Sequence, residues 1–495
     1  MGVLHGMGRY HLAIPMNLEE LVDKESIARI IDVLVDGMNL DELGFEISGS
    51  KRTGRPAYST PDLLKLYLYG YETGIRSSRK LEREVKRNIE LMWLLKGLCP
   101  DHKTIAEFRR QNPDALVKAF HYFVGVIDGF GLIGKQLIAV DGTKIKASNN
   151  RKRNLNKKKL ADKVKHLDEK IHGYLEALKT CDSQEEQKDN REILASLSER
   201  KAAYEALQKQ LEESGENEIS LVDPDARLMG NNRSGVDVSY NVQSAVDAEN
   251  HIVVDFEITQ NPADHGQLSV MAGRVKERFD LETITVLADK GYANGADLTR
   301  CKEQDIVTIV SRQDNSHKAP DPAFDSDKFT YDPEQDAFIC PAGEVLNHKT
   351  KGKDRYRYFN RKACKSCPLR EKCTTGTYRT ASQSFYDDIF AENDQRLQEN
   401  MDTYKLRQQI VEHPFGTIKE PMNCRQFSVR TQKKVRGEGA MMFMCYNLKR
   451  LVNIMGFDKL MEGLRALLSY LFCRLNNFFV LSRFKRHLRA IGLGF

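Results

Sequence analysis

The sequence predicts an α/β fold built on a mixed sheet, and three features of the chain support this. The apolar, β-branched runs 137–140 and 283–288 each end directly before an aspartate, as buried strands of an α/β sheet often do. Residues 236–246 and 252–258 have the pattern of two strands, and the polar turn 247–250 between them predicts a β-hairpin. Helical patterns then alternate with strands, which predicts an antiparallel meander followed by parallel strands joined by helical crossovers.

The crossovers decide where two acidic residues lie. Helices are expected at 266–279 and 293–304, and a last strand at 306–310. The strands that precede Asp141 and Asp289 can then be parallel neighbours. Because open α/β sheets place their sites at the carboxyl ends of such strands, we expect the two acids to lie together at that edge.

The composition is that of a globular protein with a small positive charge. At 495 residues the chain is too long for a single core, so several domains are expected. A net charge of +6 is too small to indicate a nucleic-acid partner, so local clusters of Lys and Arg must do so. Residues 1–16 lack a secretory signal, and no uncharged apolar stretch reaches the roughly 20 residues that span a bilayer. We therefore expect a cytoplasmic protein with no membrane partner.

Residues 1–130 are expected to form a helical domain that binds DNA. Residues 59–61, Ser-Thr-Pro, are typical of a capped helix start. Basic side chains concentrate in residues 51–55, 77–88 and 101–111. Short helices with basic faces are typical of helix-turn-helix DNA binders, although an ordinary helical domain with solvated charges is the alternative.

A helical hairpin is expected to interrupt the sheet domain at 151–227. Apolar residues recur at steps of three and four in 160–178 and again in 197–211, and these short seams favour an intramolecular hairpin. A basic run at 149–159 precedes it and begins within ten residues of Asp141. Most such runs are only solvated surface, but this position makes phosphate contacts an equal alternative. The candidates for these contacts are Arg151, Lys152 and Arg153.

Residues 313–383 form a polar, Lys-rich segment with a cysteine pattern of C-x23-C-x2-C-x5-C. Four thiols can bind structural zinc tetrahedrally, which would hold together a segment too poor in apolar residues to fold alone. The alternative is four unrelated reduced thiols. The candidate zinc ligands are Cys340, Cys364, Cys367 and Cys373.

A third acidic residue, Glu412, lies in the helical stretch 404–419. Glu412 and Lys419 are seven residues apart and would share one face of a continuous helix. Pro414 is expected to kink that helix. By itself, a single Glu on a helix is usually a solvated surface residue.

Motifs in this order resemble those of bacterial insertion-sequence transposases of the DDE type, which have an RNase H-like core. Val140–Ala147 (VDGTKIKA) is similar to the motif of the first acid, and Asp289–Tyr292 (DKGY) to that of the second. The stretch 54–71 (GRPAYSTPDLLKLYLYGY) resembles the helical DNA-binding region of the family. The signature Y–R–E–K around the third acid is also present, with four residues between Arg and Glu where the family pattern has three. Its members here are Tyr404, Arg407, Glu412 and Lys419.

The subgroup it resembles most has a helical N-terminal domain and a Cys-rich, zinc-ribbon-like insertion before the third acid. The resemblance implies a core formed by 131–150, 228–312 and 384–460, followed by an amphipathic helical segment at 461–495. It implies an enzyme that binds terminal inverted repeats, cleaves double-stranded DNA by metal-dependent hydrolysis and joins the 3′-OH ends to target DNA. A homodimer is expected on DNA, because two ends are cut together, and the resemblance implies that the protein is nucleoid-associated.

The resemblance also implies roles for individual residues. Mg²⁺ or Mn²⁺ would be held by Asp141, Asp289 and Glu412. DNA contacts are expected from Lys419, Arg407, Tyr404, Tyr292 and Lys144. For the two tyrosines, stacking on a displaced base and ordinary hydrophobic packing are equal alternatives. For the whole protein, the alternatives are a non-catalytic DNA-binding relic or regulator and an RNase H-like nuclease without strand transfer.

Overall fold

The computed structural model describes residues 17–46, 57–180, 184–216, 218–231, 235–312 and 319–476. The basic stretch 51–55 and the end of the expected C-terminal segment, 477–495, lie outside the described residues. Within the described ranges, no helix is both long and apolar enough to cross a membrane.

Helices account for most of the regular structure. In chain order they are α1 (Leu18–Leu21), α2 (Ile27–Asp36), α3 (Thr60–Glu72), α4 (Ser78–Glu84), α5 (Ile89–Leu94), α6 (His102–Gln111), α7 (Pro113–Gly129), α8 (Lys157–Thr180), α9 (Gln184–Ser214), α10 (Leu268–Arg278), α11 (Gly295–Glu303), α12 (Arg361–Ser366), α13 (Arg370–Cys373), α14 (Asp387–Glu399), α15 (Met401–Lys419), α16 (Gln432–Met455) and α17 (Phe457–Asn476).

The strands form one large sheet and several small ones. In chain order they are β1 (Leu137–Lys146), β2 (Asn154–Asn156), β3 (Glu218–Ser220), β4 (Arg227–Asn231), β5 (Gly235–Asp247), β6 (Val253–Thr259), β7 (Ile284–Ala288), β8 (Ile306–Val310), β9 (Thr330–Asp332), β10 (Ala337–Ile339), β11 (Val345–Leu346), β12 (His348–Lys351), β13 (Arg355–Phe359) and β14 (Thr380–Ser384).

The large sheet is mixed, as the sequence predicts. Its strands lie in the order β6-β5-β1-β7-β8. The long strand β5 pairs along one edge with two strands, with β4 over residues 235–239 and with β6 over residues 241–246. Strands β6, β5 and β1 form an antiparallel meander, whereas β1, β7 and β8 are parallel. This arrangement is the RNase H-like core, so the predicted fold class is confirmed.

Strand β1 is longer than its sequence pattern predicts. The apolar run ends before Asp141, but the strand continues to Lys146. The reason is that β1 has two different neighbours. Its parallel pairing with β7 stops at Ala139, whereas its antiparallel pairing with β5 extends to the end of the strand. Asp141 therefore lies within β1, at the point where β1 loses its parallel neighbour.

The N-terminal helices share one continuous hydrophobic core with the sheet. Helix α16 joins the two, because two of its glycines allow close approach. A Cβ at Gly437 would lie 2.7 Å from the Cα of Pro113 at the start of α7, and one at Gly439 would lie 2.7 Å from Ile258 of β6. The N-terminal helices are thereby held directly against the sheet.

Helix α3 begins as predicted, since the Ser59 side chain accepts a hydrogen bond from the Asp62 N–H and Pro61 lies in the first turn. From Leu63 to Tyr71 every side chain is buried. A helix that is buried on all sides belongs to the core, and its one charged residue in this run, Lys65, is paired with Asp32 and Asp36. The α3 part of the stretch that resembles a DNA-binding region is therefore not available to DNA, whereas basic residues of the neighbouring α4 are exposed.

A buried ionic cluster also connects the N-terminal helices to the sheet domain. The Glu438 carboxylate of α16 accepts a hydrogen bond from Arg76 at 2.6 Å and from the Tyr71 hydroxyl at 2.9 Å. Arg109 lies 3.7 Å from the same carboxylate, and the Ser428 N–H donates to it. Complete burial acts to raise the pKa of Glu438, but the two arginines outweigh burial and hold this pKa below its usual value.

Two further parts project from the sheet domain. Helices α8 and α9 pack on each other, with β2 and β3 paired at their base. The Cys-rich segment forms two small sheets, β11-β10-β9 and β12-β13-β14. It has a small core of its own, which consists of Phe329, Leu346, Tyr358 and Ala381.

Candidate active site

Asp141 and Asp289 are neighbours at the edge where β7 ends. The pairing of Ala139 with Leu287 is the last between their strands, and each acid follows two residues later. One oxygen of each carboxylate accepts a backbone hydrogen bond of 2.8 Å, from the N–H of Gly142 and of Gly291 respectively. The prediction that these two acids lie together is therefore what the structure shows.

The surroundings of Asp141 disfavour its negative charge. Burial raises the pKa of Asp141 to about 6, and the charges of Asp289 and Asp264 act in the same direction. The Gly142 hydrogen bond and the charge of Arg407 act in the opposite direction. A carboxylate pair that is partly buried and repels its own charge is suited to binding a cation.

A third carboxylate near this pair, Asp264, does not come from the sequence motifs. Its Oδ1 accepts hydrogen bonds from Asn241 Nδ2 and Gln243 Nε2, both at 2.7 Å, and from Lys144 Nζ at 3.3 Å. These three donors lie on the face of the β1–β5 pair opposite to that of Asp141, because they alternate with it along the strands. Asp264 therefore approaches the site from the other side of the sheet.

Gln243 links Asp264 to the motif of the second acid. Its Oε1 accepts a hydrogen bond from the hydroxyl of Tyr292, which is fully buried. Gly142 lies directly opposite Gln243 on the paired strand, and a Cβ there would overlap the Gln243 amide and lie 2.9 Å from Asp264 Oδ1. Because the Gln243 side chain passes so close to the β1 backbone, only glycine fits at position 142 without a shift of its neighbours.

One signal in the sequence indicates part of this group. Strand β5 is buried, yet Asn241 and Gln243 recur at every second position and are fully buried. Polar side chains that alternate along a buried strand need a buried partner. Asp264 lies in Asn-Pro-Ala-Asp-His-Gly, a turn that follows β6, but nothing in the turn itself shows where its carboxylate points.

Glu412 is not part of this carboxylate group. It is exposed on α15, and its side chain accepts a hydrogen bond from Gln408 at 2.8 Å. The expected convergence of Asp141, Asp289 and Glu412 within a few ångströms is therefore not seen. Helix geometry gives a reason: Arg407, whose charge acts on Asp141, and Glu412 are five residues apart, which turns them about 140° away from each other.

The other members of the third motif lie close to the sheet. Lys419 donates to the hydroxyl of Thr143 on β1, and it shares a helix face with Glu412. The Tyr404 hydroxyl donates to the Ser311 hydroxyl at 2.8 Å, just beyond β8. Helix α15 thus crosses the edge of the sheet from β8 to β1, and the charge of its Arg407 acts on Asp141. Pro414 lies inside this helix, which is continuous through it.

Three groups of expected DNA-binding residues have different surroundings. Tyr292 is buried and hydrogen-bonded, so its ring cannot stack on a displaced base, and the packing alternative is the correct one. Lys144 is partly buried against Asp264, and burial lowers its pKa. Residues 151–153 form an exposed turn whose three basic side chains are open to solvent.

All four cysteines of the Cys-rich segment line one cavity of about 30 Å³, which is room for a single small ion. Burial raises the pKa of Cys373, and the charges of Cys340, Cys364 and Cys367 add to this effect. The Glu344 N–H donates to the sulfur of Cys340 at 3.3 Å. The polypeptide thus brings the expected zinc ligands to one place.

Nowhere in the described ranges do three His, Cys, Asp or Glu side chains meet closely enough to hold one metal ion as they stand. For the cysteines, the shared cavity is the more informative observation, because rotation of side chains around a fixed backbone can gather the thiols. For the carboxylates, the oxygen donors of Asp141 and Asp289 suit Mg²⁺, which prefers such ligands and retains several waters.

Two protein families match the chain. The family described as "Transposase domain (DUF772)" matches residues 16–111, which include helices α1 to α6. The family described as "Transposase DDE domain" matches residues 229–448, which include Asp264, Asp289 and Glu412. Together they cover more than half of the chain, which belongs to the DDE-type transposases.

No curated protein matches the chain. Among solved structures, the chain is similar to the piggyBac transposase synaptic complex with hairpin DNA, determined by cryo-EM. The TM-score is 0.31 with 10% identity, over 93% of this chain and 82% of that chain. A similarity this low carries no argument about fold, partner or mechanism.

Proposed function

We propose that this transposase binds the inverted repeats at the ends of its element, cleaves the DNA and joins the freed 3′-OH ends to target DNA. The observation that supports this best is the pairing of Asp141 and Asp289 at the end of two parallel strands, where their charges repel each other. Such a pair is suited to a divalent cation, Mg²⁺ or Mn²⁺.

Asp141 and Asp289 would hold the metal, and Glu412 would complete the site from α15. Bound there, the cation would supply a nucleophilic water and stabilise the leaving oxygen of the phosphodiester. The chain supplies the orientation: Gly142 and Gly291 each fix one carboxylate oxygen through a backbone N–H, which leaves the other oxygen for the site. A rotation of the exposed Glu412 side chain, or of α15 around it, would be needed to join the pair.

The positive residues around the acids would hold the DNA backbone. Arg407 already acts electrostatically on Asp141, and Lys419 reaches β1 two residues beyond it. Phosphate contacts of this kind position DNA without reading its sequence. The exposed turn 151–153 would extend the same positive surface. Two ends cut together would require two copies of the chain, so a homodimer on DNA forms part of the proposal.

Asp141→Asn tests the catalytic proposal. It should abolish Mg²⁺-dependent cleavage of an element end while leaving end binding intact. Asp237→Asn, on the neighbouring strand β5, is the matched control and should cleave like the wild type. Full cleavage by Asp141→Asn would refute the assignment. A wild-type chain that binds but never cleaves would be a regulator, and one that cleaves without joining would be a nuclease.

We also propose that the four cysteines hold a structural zinc ion. The wild type should contain about one zinc per chain, and the double variant Cys364→Ser/Cys367→Ser should contain none. Cys99→Ser removes an exposed thiol elsewhere in the chain and is the control. Elemental analysis of the purified proteins decides this, and equal zinc in the double variant and the wild type would contradict the proposal.

A further inference from the structure

The small sheet β12-β13-β14 has one buried and one exposed face. Residues directly opposite each other share a face, so Tyr358 and Ala381 lie together on the buried side, over the core of the Cys-rich segment. Arg355, Arg357 and Ser382 lie on the other side and are exposed. A half-buried antiparallel sheet normally has a polar outer face. Polarity alone therefore does not indicate a binding surface, and the kinds of side chain on this face must be considered.

The outer face combines cations, aromatic rings and hydroxyls, and its strands place no acidic residue there. The His348 ring stacks on Phe359 at 5.6 Å with an interplanar angle of 20°. Phe359 also contacts Tyr378, and the Arg361 guanidinium lies 5.3 Å and 4.9 Å from these two ring centres. Arg357 forms no ion pair within the described part of the chain.

This face continues into a cleft of about 970 Å³ whose lining includes the residues that follow Asp264 and Asp289 in the chain. One wall comes from the outer face, through Arg355, Ser382 and Ser384, and the other comes from the sheet domain. Lys290 and His265 belong to that second wall, and they directly follow Asp289 and Asp264 in the chain. The cleft therefore leads from the acids to the outer face of the small sheet.

The two walls are fixed relative to each other by close packing. The Tyr386 ring, just before α14, lies against Gly295 at the start of α11, where a Cβ would overlap it. Lys302 of α11 pairs with Glu392 of α14 at 2.7 Å. The shape of the cleft is thus set by the packing of α11 and α14.

The uncompensated charge in the cleft is positive. Asp394 pairs with Arg312 at 2.7 Å and Asp354 with Arg355 at 2.9 Å. The third acid, Asp387, accepts a hydrogen bond from the Ser384 N–H, which leaves its negative charge in place against two lysines. Lys290 and Lys353 also line the cleft, and neither forms an ion pair within the ranges that the structure describes. Their charges are available for a ligand of opposite charge.

We propose that the outer face of the β12-β13-β14 sheet and the adjoining cleft bind the DNA backbone that leads away from the catalytic acids. Cations with hydroxyls suit phosphates, and partly exposed aromatic rings with stacked arginine suit unpaired bases. The proposal rests on the proposed function in placing DNA at the acids. It gives the Cys-rich insertion a second role: zinc would hold its fold, and its sheet would hold DNA.

The test is DNA binding by the full-length protein without added Mg²⁺ and without a chelator. The probes are a short fluorescein-labelled duplex of arbitrary sequence and the same duplex with a single-stranded extension. Arg355→Ala/Arg357→Ala/Arg361→Ala should weaken binding roughly tenfold and lower the slope of log K against log salt by about two to three. A loss confined to the extended probe assigns the face to unpaired DNA, and a loss on both assigns it to the duplex backbone.

Lys351→Ala is the control for position, because it removes one exposed positive charge from the opposite face of the same sheet. It should bind like the wild type. Arg357→Glu, a single change at an exposed position, keeps the test valid if the triple variant fails to fold. Unchanged binding by Arg357→Glu, or an equal loss in Lys351→Ala, would overturn the proposal. Because no cleavage is measured, an inactive wild type would refute the proposed chemistry and leave this surface assignment standing.

Discussion

The Gln243 amide nitrogen lies 2.7 Å from a carboxylate oxygen of Asp264, directly across from Gly142. Through the other end of the same amide, Asp264 is linked to Tyr292, in the motif of the second acid. Residues from four separate parts of the chain thus meet behind Asp141 and Asp289. The turn that carries Asp289 is held from inside the protein, which keeps one side of the carboxylate pair in place.

Gly142→Ala should destabilise the protein and reduce cleavage. The new Cβ would overlap the buried Gln243 amide, which cannot move into solvent. Overpacking of this kind costs about 1–3 kcal/mol. Thermal unfolding is the measurement. Gly125→Ala, at a helical position where a Cβ meets nothing within 4 Å, should instead stabilise by roughly 0.5–1 kcal/mol. Equal melting temperatures for Gly142→Ala and the wild type would show that Gln243 moves aside freely.

Gln243→Leu and Tyr292→Phe should show strong coupling in stability. Each single change leaves a buried polar group without its partner, which costs about 1–3 kcal/mol, whereas the double change removes both groups. The double variant should therefore be more stable than the sum of the single effects predicts, by about 0.5–3 kcal/mol. Chemical denaturation of all four proteins measures this. Strictly additive effects would mean that the Tyr292 hydroxyl does not depend on Gln243.

Asp141→Asn should stabilise the metal-free protein at neutral pH. The folded-state pKa of Asp141, about 6, lies above its usual value, so the ionised carboxylate destabilises the fold above that pH. The gain from the variant should be absent below about pH 4, grow between pH 4 and 6, and reach about 1–3 kcal/mol above pH 6. Denaturation at several pH values measures it.

The same experiment can be repeated with Mg²⁺. A cation that binds the folded state should raise the stability of the wild type and have less effect on Asp141→Asn. Asp237→Asn is again the control and should respond to Mg²⁺ like the wild type. A variant that gains nothing at neutral pH would contradict the raised pKa of Asp141, which comes first from burial and then from the charge of Asp289.

Glu438→Gln should be severely destabilising at neutral pH, because Arg76 and Arg109 would remain buried without a countercharge. Breaking a buried ion pair from one side costs about 3–5 kcal/mol. The pKa of Glu438 is held low, so its contribution is present above pH 4.5 and is lost as the pH falls through the folded-state pKa. The wild type should therefore lose stability in acid more steeply than the variant.

Glu420→Gln provides the comparison for this buried cluster. Glu420 pairs with Arg425 at the surface, where both side chains are more than half exposed. Exposed pairs contribute about 0–1 kcal/mol, so this variant should melt close to the wild type. A loss as large as that of Glu438→Gln would show that burial is not the decisive difference.

Much of the sheet domain could be predicted from local patterns. The strand at Ile306–Val310 lies where the apolar run predicts it, and the hairpin of β5 and β6 differs by one residue at each end. The order of strands and helical crossovers along the chain predicts that Asp141 lies beside Asp289, and the structure has them together. Its position inside β1 was not predictable, since the strand is extended by pairing with β5 and not by its own residues.

The position of Glu412 relative to the other two acids could not be predicted from residue spacing. The interval between Glu412 and Lys419 predicts a shared helix face, yet it says nothing about which way that face turns. Packing of Val411, Pro414 and Phe415 against the core sets the rotation of α15. This rotation brings Arg407 to the acids and leaves Glu412 exposed.

By itself, the sequence determined the fold class, the pair Asp141–Asp289 and the gathering of cysteines into one segment, because periodicity and short motifs act locally along the chain. Only the tertiary structure decided that Asp264 joins the site, that Tyr292 is buried and that Arg355 of β13 lines the same cleft as Lys290. These relationships join residues far apart in sequence, and their free energy comes from burial and packing that exist only once the sheet and the helices have come together.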